Sequence, residues 1–394
     1  MKNLLILLTF FLFLGCTSTE EKANPTLTYR ILKSIEIPIK ANVQYAHSQI
    51  QLVNEHEFIG LDQNFNKLDV FSLKDDRFIK SIHFEQDGPN RIYPVSSFYY
   101  HNKDSIFLFS LAASSFQLIN DKAKVLSLFR MDENKYPSEI SNTIVGTDNR
   151  FYPISITKNE DWNLPFVYNS DNGELIVNTL PETYLEGFND RQSFYSAPIT
   201  SNFDVSSLEF TTFSGRWPKE IYHQKMAPNN PFTNFCFNAT SQEILINFYN
   251  ADKIYSVKRN KFYKVQSNAA KGDVTLFDIE STKEYTTEEE LDALSRDEGY
   301  VNLIYDQFED KYYRIFKHSS HNQEGSIHKM EAEWSLVAFT SDFKVLGEVR
   351  FPASIYNFLQ IMPTKEGILI SKESAFSKHN NEEKYEFDLV KFDF

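Results

Sequence analysis

Apolar positions along this chain come in short bursts, and the bursts come in groups. Residues 57–61, 67–73 and 78–84 are rich in Phe, Ile, Leu and Val, and a polar turn, Lys74-Asp75-Asp76, divides the last two. The plan recurs at 243–249, 253–258 and 262–265, separated by Asn250-Ala251-Asp252 and Arg259-Asn260-Lys261. It recurs again at 105–109, 116–119 and 124–129, with Asn120-Asp121-Lys122 as the last turn. Runs of this length, bounded by turn-forming residues, predict hairpin-linked strands about ten residues apart. Helical signal is nearly confined to 288–296, where Thr287 and Glu290 form a capping box.

Several strands are apolar without alternation, as in Ile106-Phe107-Leu108-Phe109, Ile244-Leu245-Ile246 and Gly367-Ile368-Leu369-Ile370. A sheet with one wet face alternates, so both faces of these sheets must be covered. With almost no helix available, neighbouring sheets must do the covering, and radial stacking of four-stranded blades achieves this. A two-sheet sandwich leaves each sheet an outer face and explains the runs less well. The groups number six: 47–84, 95–130, 143–213, 232–266, 298–350 and 354–394. The last offers only three strands, near 356–361, 367–372 and 385–392. The N-terminal stretch 29–39 has no group of its own, and Lys33-Ser34-Ile35-Glu36-Ile37 echoes the outermost strand Lys80-Ser81-Ile82-His83-Phe84. The expected fold is therefore all-β, a six-bladed β-propeller closed by an N-terminal strand that joins the last blade, with 26–394 as one domain.

The chain opens with Lys2, an apolar run over 4–14, and Phe13-Leu14-Gly15-Cys16 followed by Thr17-Ser18-Thr19-Glu20-Glu21-Lys22. A basic start, a short apolar core and a small residue before the cut predict a secretory signal peptide over 1–15. The run is too short to span a bilayer as a helix. Cys16 after Gly15 resembles a bacterial lipoprotein signal, which implies lipidation of Cys16 and a polar tether over 16–25. Glu20 and Glu21 resemble the export tag of surface-displayed lipoproteins of some Gram-negative bacteria, although a solvated linker is the plainer reading. An outer-membrane address is expected, at the cell surface or facing the periplasm. Together with Phe84-Glu85-Gln86-Asp87-Gly88-Pro89-Asn90 and the closing strand, the lipobox makes the chain similar to a family of uncharacterised Gram-negative lipoproteins with a TolB-like six-bladed propeller. That resemblance implies fold and location, and no activity.

Composition agrees with a large buried core. The 394 residues include 36 Phe, 21 Tyr and 3 Trp but only 12 Gly. A net charge of −14 argues against nucleic acid as a partner. If Cys16 is acylated, Cys236 has no partner and the exported body must be held by its core.

Catalytic signatures are thin: no Gly-x-Ser-x-Gly, His-Glu-x-x-His, phosphate loop or Cys-x-x-Cys occurs. His318-Ser319-Ser320-His321 with His328 is the best metal candidate, but its Ser, Asn and Gly surroundings read as a polar loop. Asp171-Asn172-Gly173 reads as a tight hairpin turn rather than a calcium loop. No catalytic residue, metal or cofactor is assigned. Long insertions at 85–93, 131–141, 214–230, 266–298, 318–329 and 371–384 fall on connections that leave one face of a propeller. On that face Arg91, Arg216 and Trp217 are the candidate ligand-binding residues, because Arg and Trp dominate binding hot spots. The competing readings are a surface ion pair for each Arg and blade packing for Trp217. The expected function is a non-catalytic, monomeric binding or scaffold lipoprotein for a protein, peptide or glycan partner. A propeller-type hydrolase of glycans or esters is the alternative.

Overall fold

The computed structural model describes residues 23–38, 49–63, 65–130, 151–154, 166–181, 195–223, 233–270, 298–319, 332–372 and 384–394. The strands form six antiparallel sheets in a ring, a six-bladed β-propeller. Blades 1 to 5 span 49–83, 97–130, 151–214, 233–264 and 299–351, and blade 6 combines 361–393 with 28–38. These are the six groups read from the sequence. The predicted helix over 288–296 lies outside the described residues.

Two inner strands depart from expectation. In blade 3 the inner strand is split, because Phe151–Ile154 and Val167–Asn169 pair with different halves of Glu174–Pro181. In blade 6 the inner strand is only Ile361–Pro363, not 356–361. There Asn357 takes the Leu359 amide on its side-chain oxygen at 2.9 Å, an Asx turn that removes the preceding residues from strand geometry.

Successive side chains of a strand point to opposite faces, so each blade feeds two seams. Ile59 and Val70 of blade 1 pack with Phe98 and Ile106 of blade 2. Their sequence neighbours Phe58 and Phe71 turn the other way, against Leu369, Tyr385 and Phe387 of blade 6. The same division gives one core cluster per seam around the ring: Phe109 with Leu175 between blades 2 and 3, and Ile176 with Ile246 between 3 and 4. Leu245 meets Val337 between blades 4 and 5, and Leu336 meets Ile370 between 5 and 6. Each such side chain is nearly or wholly buried and contributes about 1.5–3 kcal/mol of transfer free energy.

Between blades no backbone ladder runs, so polar side chains supply the links. The amides of Gln49 and Gln51 in blade 1 each bond both the carbonyl and the N–H of a blade 2 inner-strand residue, Phe98 and Tyr100, at 2.8–3.0 Å. Asn234 and Asn247 of blade 4 donate to Val301 and Tyr300 of blade 5 at 2.7 and 2.9 Å. The strongest link is Arg314. It is fully buried, and its guanidinium donates to Asn247 Oδ1 at 2.7 Å and to the carbonyls of Val265, Ala251 and Lys253 at 2.5, 2.6 and 3.1 Å. Its cationic carbon lies 3.4 Å from the Tyr300 ring centroid. Burial lowers its pKa to about 10, which leaves it charged at neutral pH.

Closure follows the expected route. Thr28–Pro38 pairs antiparallel with Lys384–Asp393, in register from Thr28 opposite Asp393 to Pro38 opposite Lys384. Buried Asp388 accepts from Ser34 Oγ at 2.6 Å, Tyr356 OH at 2.7 Å and Lys372 Nζ at 2.9 Å, tying the N-terminal strand to its blade. Upstream, Asn24 and Pro25, which the sequence places in the tether, belong to the folded body. The Pro25 carbonyl accepts the Glu348 amide, and the Leu27 amide reaches the Glu348 carbonyl, both at 2.8 Å. The Glu348 carboxylate takes Ser267 Oγ and the Asn268 amide at 2.6 Å and Asn24 Nδ2 at 3.2 Å. Asn24 thus sits at the outer seam of blades 4 and 5, while Leu27 packs in the core between blades 5 and 6. Gly347 is required beneath them, since a Cβ there would sit 2.7 Å from the Pro25 carbonyl oxygen.

Removing Arg314 strands several buried carbonyls, so Arg314→Ala should lower stability by about 4 kcal/mol in urea denaturation. Arg314→Lys keeps the charge without the fork and should recover less than half. The exposed pair of Lys33 and Asp76, at 3.0 Å across the closing seam, gives the contrast: Lys33→Ala should cost under about 1 kcal/mol.

Candidate binding face

Connections in a four-strand meander leave alternate ends of the blade, which sorts every loop onto one of two faces. On one face the turns number two to five residues, such as Glu55-His56 or 307–310. The other face carries the connections 84–96, 131–150, 182–199, 215–232, 265–298, 318–333 and 372–383. The strand ends that bound the long insertions of the sequence all open onto this face.

Among the described residues, this face is most completely seen at the seam of blades 1 and 2. The turn at 63–66 stands on a buried charge cluster. Lys67 Nζ lies 2.8 Å from Asp69 Oδ2 and 3.4 Å from Asp62 Oδ2, all three side chains being 1% exposed or less. Ser81 Oγ donates to Asp69 at 2.5 Å, and the other Asp62 oxygen accepts the Phe65 amide at 3.1 Å. Such a cluster is no source of net stability, but breaking it costs about 3–5 kcal/mol, so it holds the turn in one shape. Asn66 closes the turn at φ 50°, in the left-handed region.

What this turn displays is Phe65, 63% exposed, an expensive place for an aromatic ring. Leu111, 37% exposed, is on the matching turn of blade 2. Ser96 joins the two turns, its carbonyl accepting Gln63 Nε2 and its hydroxyl accepting the Leu111 amide, each at 3.1 Å. Arg91, in the connection between the two blades, is exposed, its guanidinium 5.2 Å from the Tyr93 ring centroid. The buried amide of Gln117 grips that loop, donating to the Arg91 carbonyl at 3.0 Å and accepting the Tyr93 amide at 2.9 Å. The result is an apolar pair and a cation on backbone that cannot easily rearrange. Sequence reading singled out Arg91 and missed Phe65, although a lone ring in Asp62-Gln63-Asn64-Phe65-Asn66-Lys67 was the available signal.

Arg216 and Trp217 lie elsewhere, on the seam of blades 3 and 4. Gly215 at φ +93° makes the bend there, and a Cβ on it would sit 2.6 Å from Ile246. The bend sends Trp217 inward. It is 3% exposed, with ring centroids 5.4 Å from Tyr195 and 5.7 Å from Phe248. Trp217 therefore packs a seam and offers no flat surface to a partner, contrary to the reading that made it a binding residue. Arg216 is exposed and raises local positive potential near Tyr255. The structure does not bring it together with Arg91.

A family model described as a domain of unknown function, DUF4221, matches residues 25–350. The chain belongs to the DUF4221 family. It is similar to the solved structure of a DUF4221 member from Bacteroides vulgatus ATCC 8482, with a TM-score of 0.72 at 15% identity, over 94% of this chain and 99% of that one. It is also similar to a protein of Bacteroides fragilis NCTC 9343, provisionally described as exported, with a TM-score of 0.52 at 12% identity, over 95% and 98% of the two chains. No curated protein matches it. The DUF4221 match begins at Pro25, inside the N-terminal clasp.

The histidine candidate resolves differently in this DUF4221 chain. His321 and His328 lie outside the described residues. His318 is buried, its Nε2 2.9 Å from Ser335 Oγ and its ring edge-on to Phe316. Among the described residues no three His, Cys, Asp or Glu side chains converge on a common point. Burial, reinforced by the Arg350 cation, lowers the His318 pKa from 6.5 to about 4. Below pH 6.5 the unfolded chain therefore binds a proton that the folded chain refuses until about pH 4. This group should remove about 3 kcal/mol of stability as pH falls through that window. Denaturation of wild type and His318→Gln at pH 7 and pH 4 should show the variant spared that loss.

Proposed function

We propose that this chain is an exported, lipid-anchored binding propeller that uses its loop-bearing face, at the seam of blades 1 and 2, to hold a protein, peptide or glycan partner. The observation that carries this reading is the exposure of Phe65 and Leu111 on matching turns that Ser96 joins, with exposed Arg91 on the connection between the same two blades. An exposed aromatic residue on a rigid support is the kind of group that dominates a binding interface, because it buries area without losing much conformational freedom. Arg91 adds fork-shaped donors suited to a carboxylate or a sugar hydroxyl. Arg216 is a secondary contact on the same face.

The address rests on the Gly15-Cys16 junction and on the provisional description of the B. fragilis relative as exported. No helix among the described residues is long and apolar enough to cross a membrane. Cys16 carries the anchor in an outer membrane, with the body at the cell surface or in the periplasm.

Two measurements test these statements. Cys16→Ala should move the protein from the membrane to the soluble fraction, and retention after a high-salt wash would refute the anchor. For the face, a partner is captured from the native envelope and titrated against variants. Phe65→Ala and Arg91→Ala should each lose about 2 kcal/mol, roughly thirtyfold in affinity, with melting unchanged. Wild-type affinity in both variants would remove this seam as the site.

A further inference from the structure

The clasp at residues 24–27 fixes where the leader meets the folded body. Ala23 and Asn24 line a cleft of about 460 Å³ with Lys264, Gln266 and Asn268, at the outer seam of blades 4 and 5. Asn24 is held there by Asn268 and Gln266 at 2.6–3.1 Å, and Leu27 is buried in the core, so this point cannot drift around the ring. In a ring of six blades the seam of 4 and 5 lies diametrically opposite the seam of 1 and 2. One core cluster per seam establishes that order.

We infer that the ring stands on its blade 4 and 5 rim, so that the patch of Phe65, Leu111 and Arg91 faces away from the bilayer. The inference rests on the lipid anchor at Cys16. Cys16 and Ala23 are seven residue steps apart, and whatever their conformation these reach at most about 24 Å. A body of this length is roughly 55 Å across. The short connection keeps the exit rim close to the bilayer, while the patch sits on the far side of the ring. It can touch lipid only if the ring lies flat on its loop face. Glu85 and Asp87, exposed on the loop face, oppose that pose on an anionic leaflet. The seam that bears the connection is also the one tied by Arg314 and Glu348, so the attachment is rigid where it meets the body.

The test uses full-length lipidated protein, purified from membranes and placed in vesicles of phosphatidylcholine and phosphatidylglycerol that contain a headgroup quencher. Buried Cys236, whose thiol burial pushes its pKa up, does not compete for labelling. Fluorophores on Lys264→Cys and on Leu111→Cys are compared. The Lys264 label should be quenched at least twice as strongly, and inserting thirty Gly and Ser residues after Lys22 should erase the difference. Equal or reversed quenching in protein that floats with the vesicles overturns the orientation alone. Wild-type protein that fails to float overturns the anchor and the orientation together.

Discussion

A strand with apolar residues on both sides leaves its sheet with two faces that water cannot be allowed to reach. In this chain nearly every second and third strand of a blade is of that kind, from Phe58-Ile59 in blade 1 to Val337-Ala338 in blade 5. No blade is stable by itself, and each needs a neighbour on either side. The only arrangement that gives every member two neighbours is a closed ring. Closure is therefore the condition on which the six cores depend, and it is met by Thr28–Pro38 pairing with Lys384–Asp393 at the far end of the chain. The two ends are joined by a ladder of backbone hydrogen bonds with buried Asp388 at its middle, not by a covalent bridge.

Apolar packing between sheets is permissive about register, and the seams show how that freedom is removed. Gln49 and Gln51 each engage both backbone groups of one residue in the next blade, which a one-residue slip would break. Arg314 does the same at the seam of blades 4 and 5, its planar fork matched to carbonyls at the ends of several segments. Such buried polar groups add less to stability than hydrophobic residues of equal size, but each is satisfied in only one arrangement. The ring is thus held shut by burial and held in one geometry by these links.

That rigidity is what lets one face do something different from the other. The face with short turns has no room for variation, since each turn follows directly from strand ends already placed. The loop-bearing face is free to vary, yet at the seam of blades 1 and 2 it is as firmly built as the core. Buried Lys67, Asp62 and Asp69 under one turn, Ser96 between two, and Gln117 beneath a third carry Phe65, Leu111 and Arg91 as fixed features. Across the ring, the N-terminal clasp ties Pro25 and Leu27 to Glu348 of blade 5.

Fold class, blade count and the closing strand were legible in the sequence because they follow from period and spacing. Unbroken apolar runs demand two covered faces, ten-residue spacing demands hairpins, and a last group one strand short demands a partner from elsewhere in the chain. The pattern at Gly15-Cys16, on which the proposed anchor rests, is likewise local and was read without any fold. What only tertiary structure decided is where a side chain points. Trp217 was a plausible contact until Gly215 turned it into the seam of blades 3 and 4, and His318 was a plausible ligand until burial beside Ser335 made it a neutral core residue. Phe65 drew no notice, since a phenylalanine in a polar stretch differs from a buried one only through the turn that holds it out. Direction of this kind depends on contacts between residues far apart in the chain, such as Gln63 with Ser96 or Asn24 with Asn268, and no local pattern encodes them.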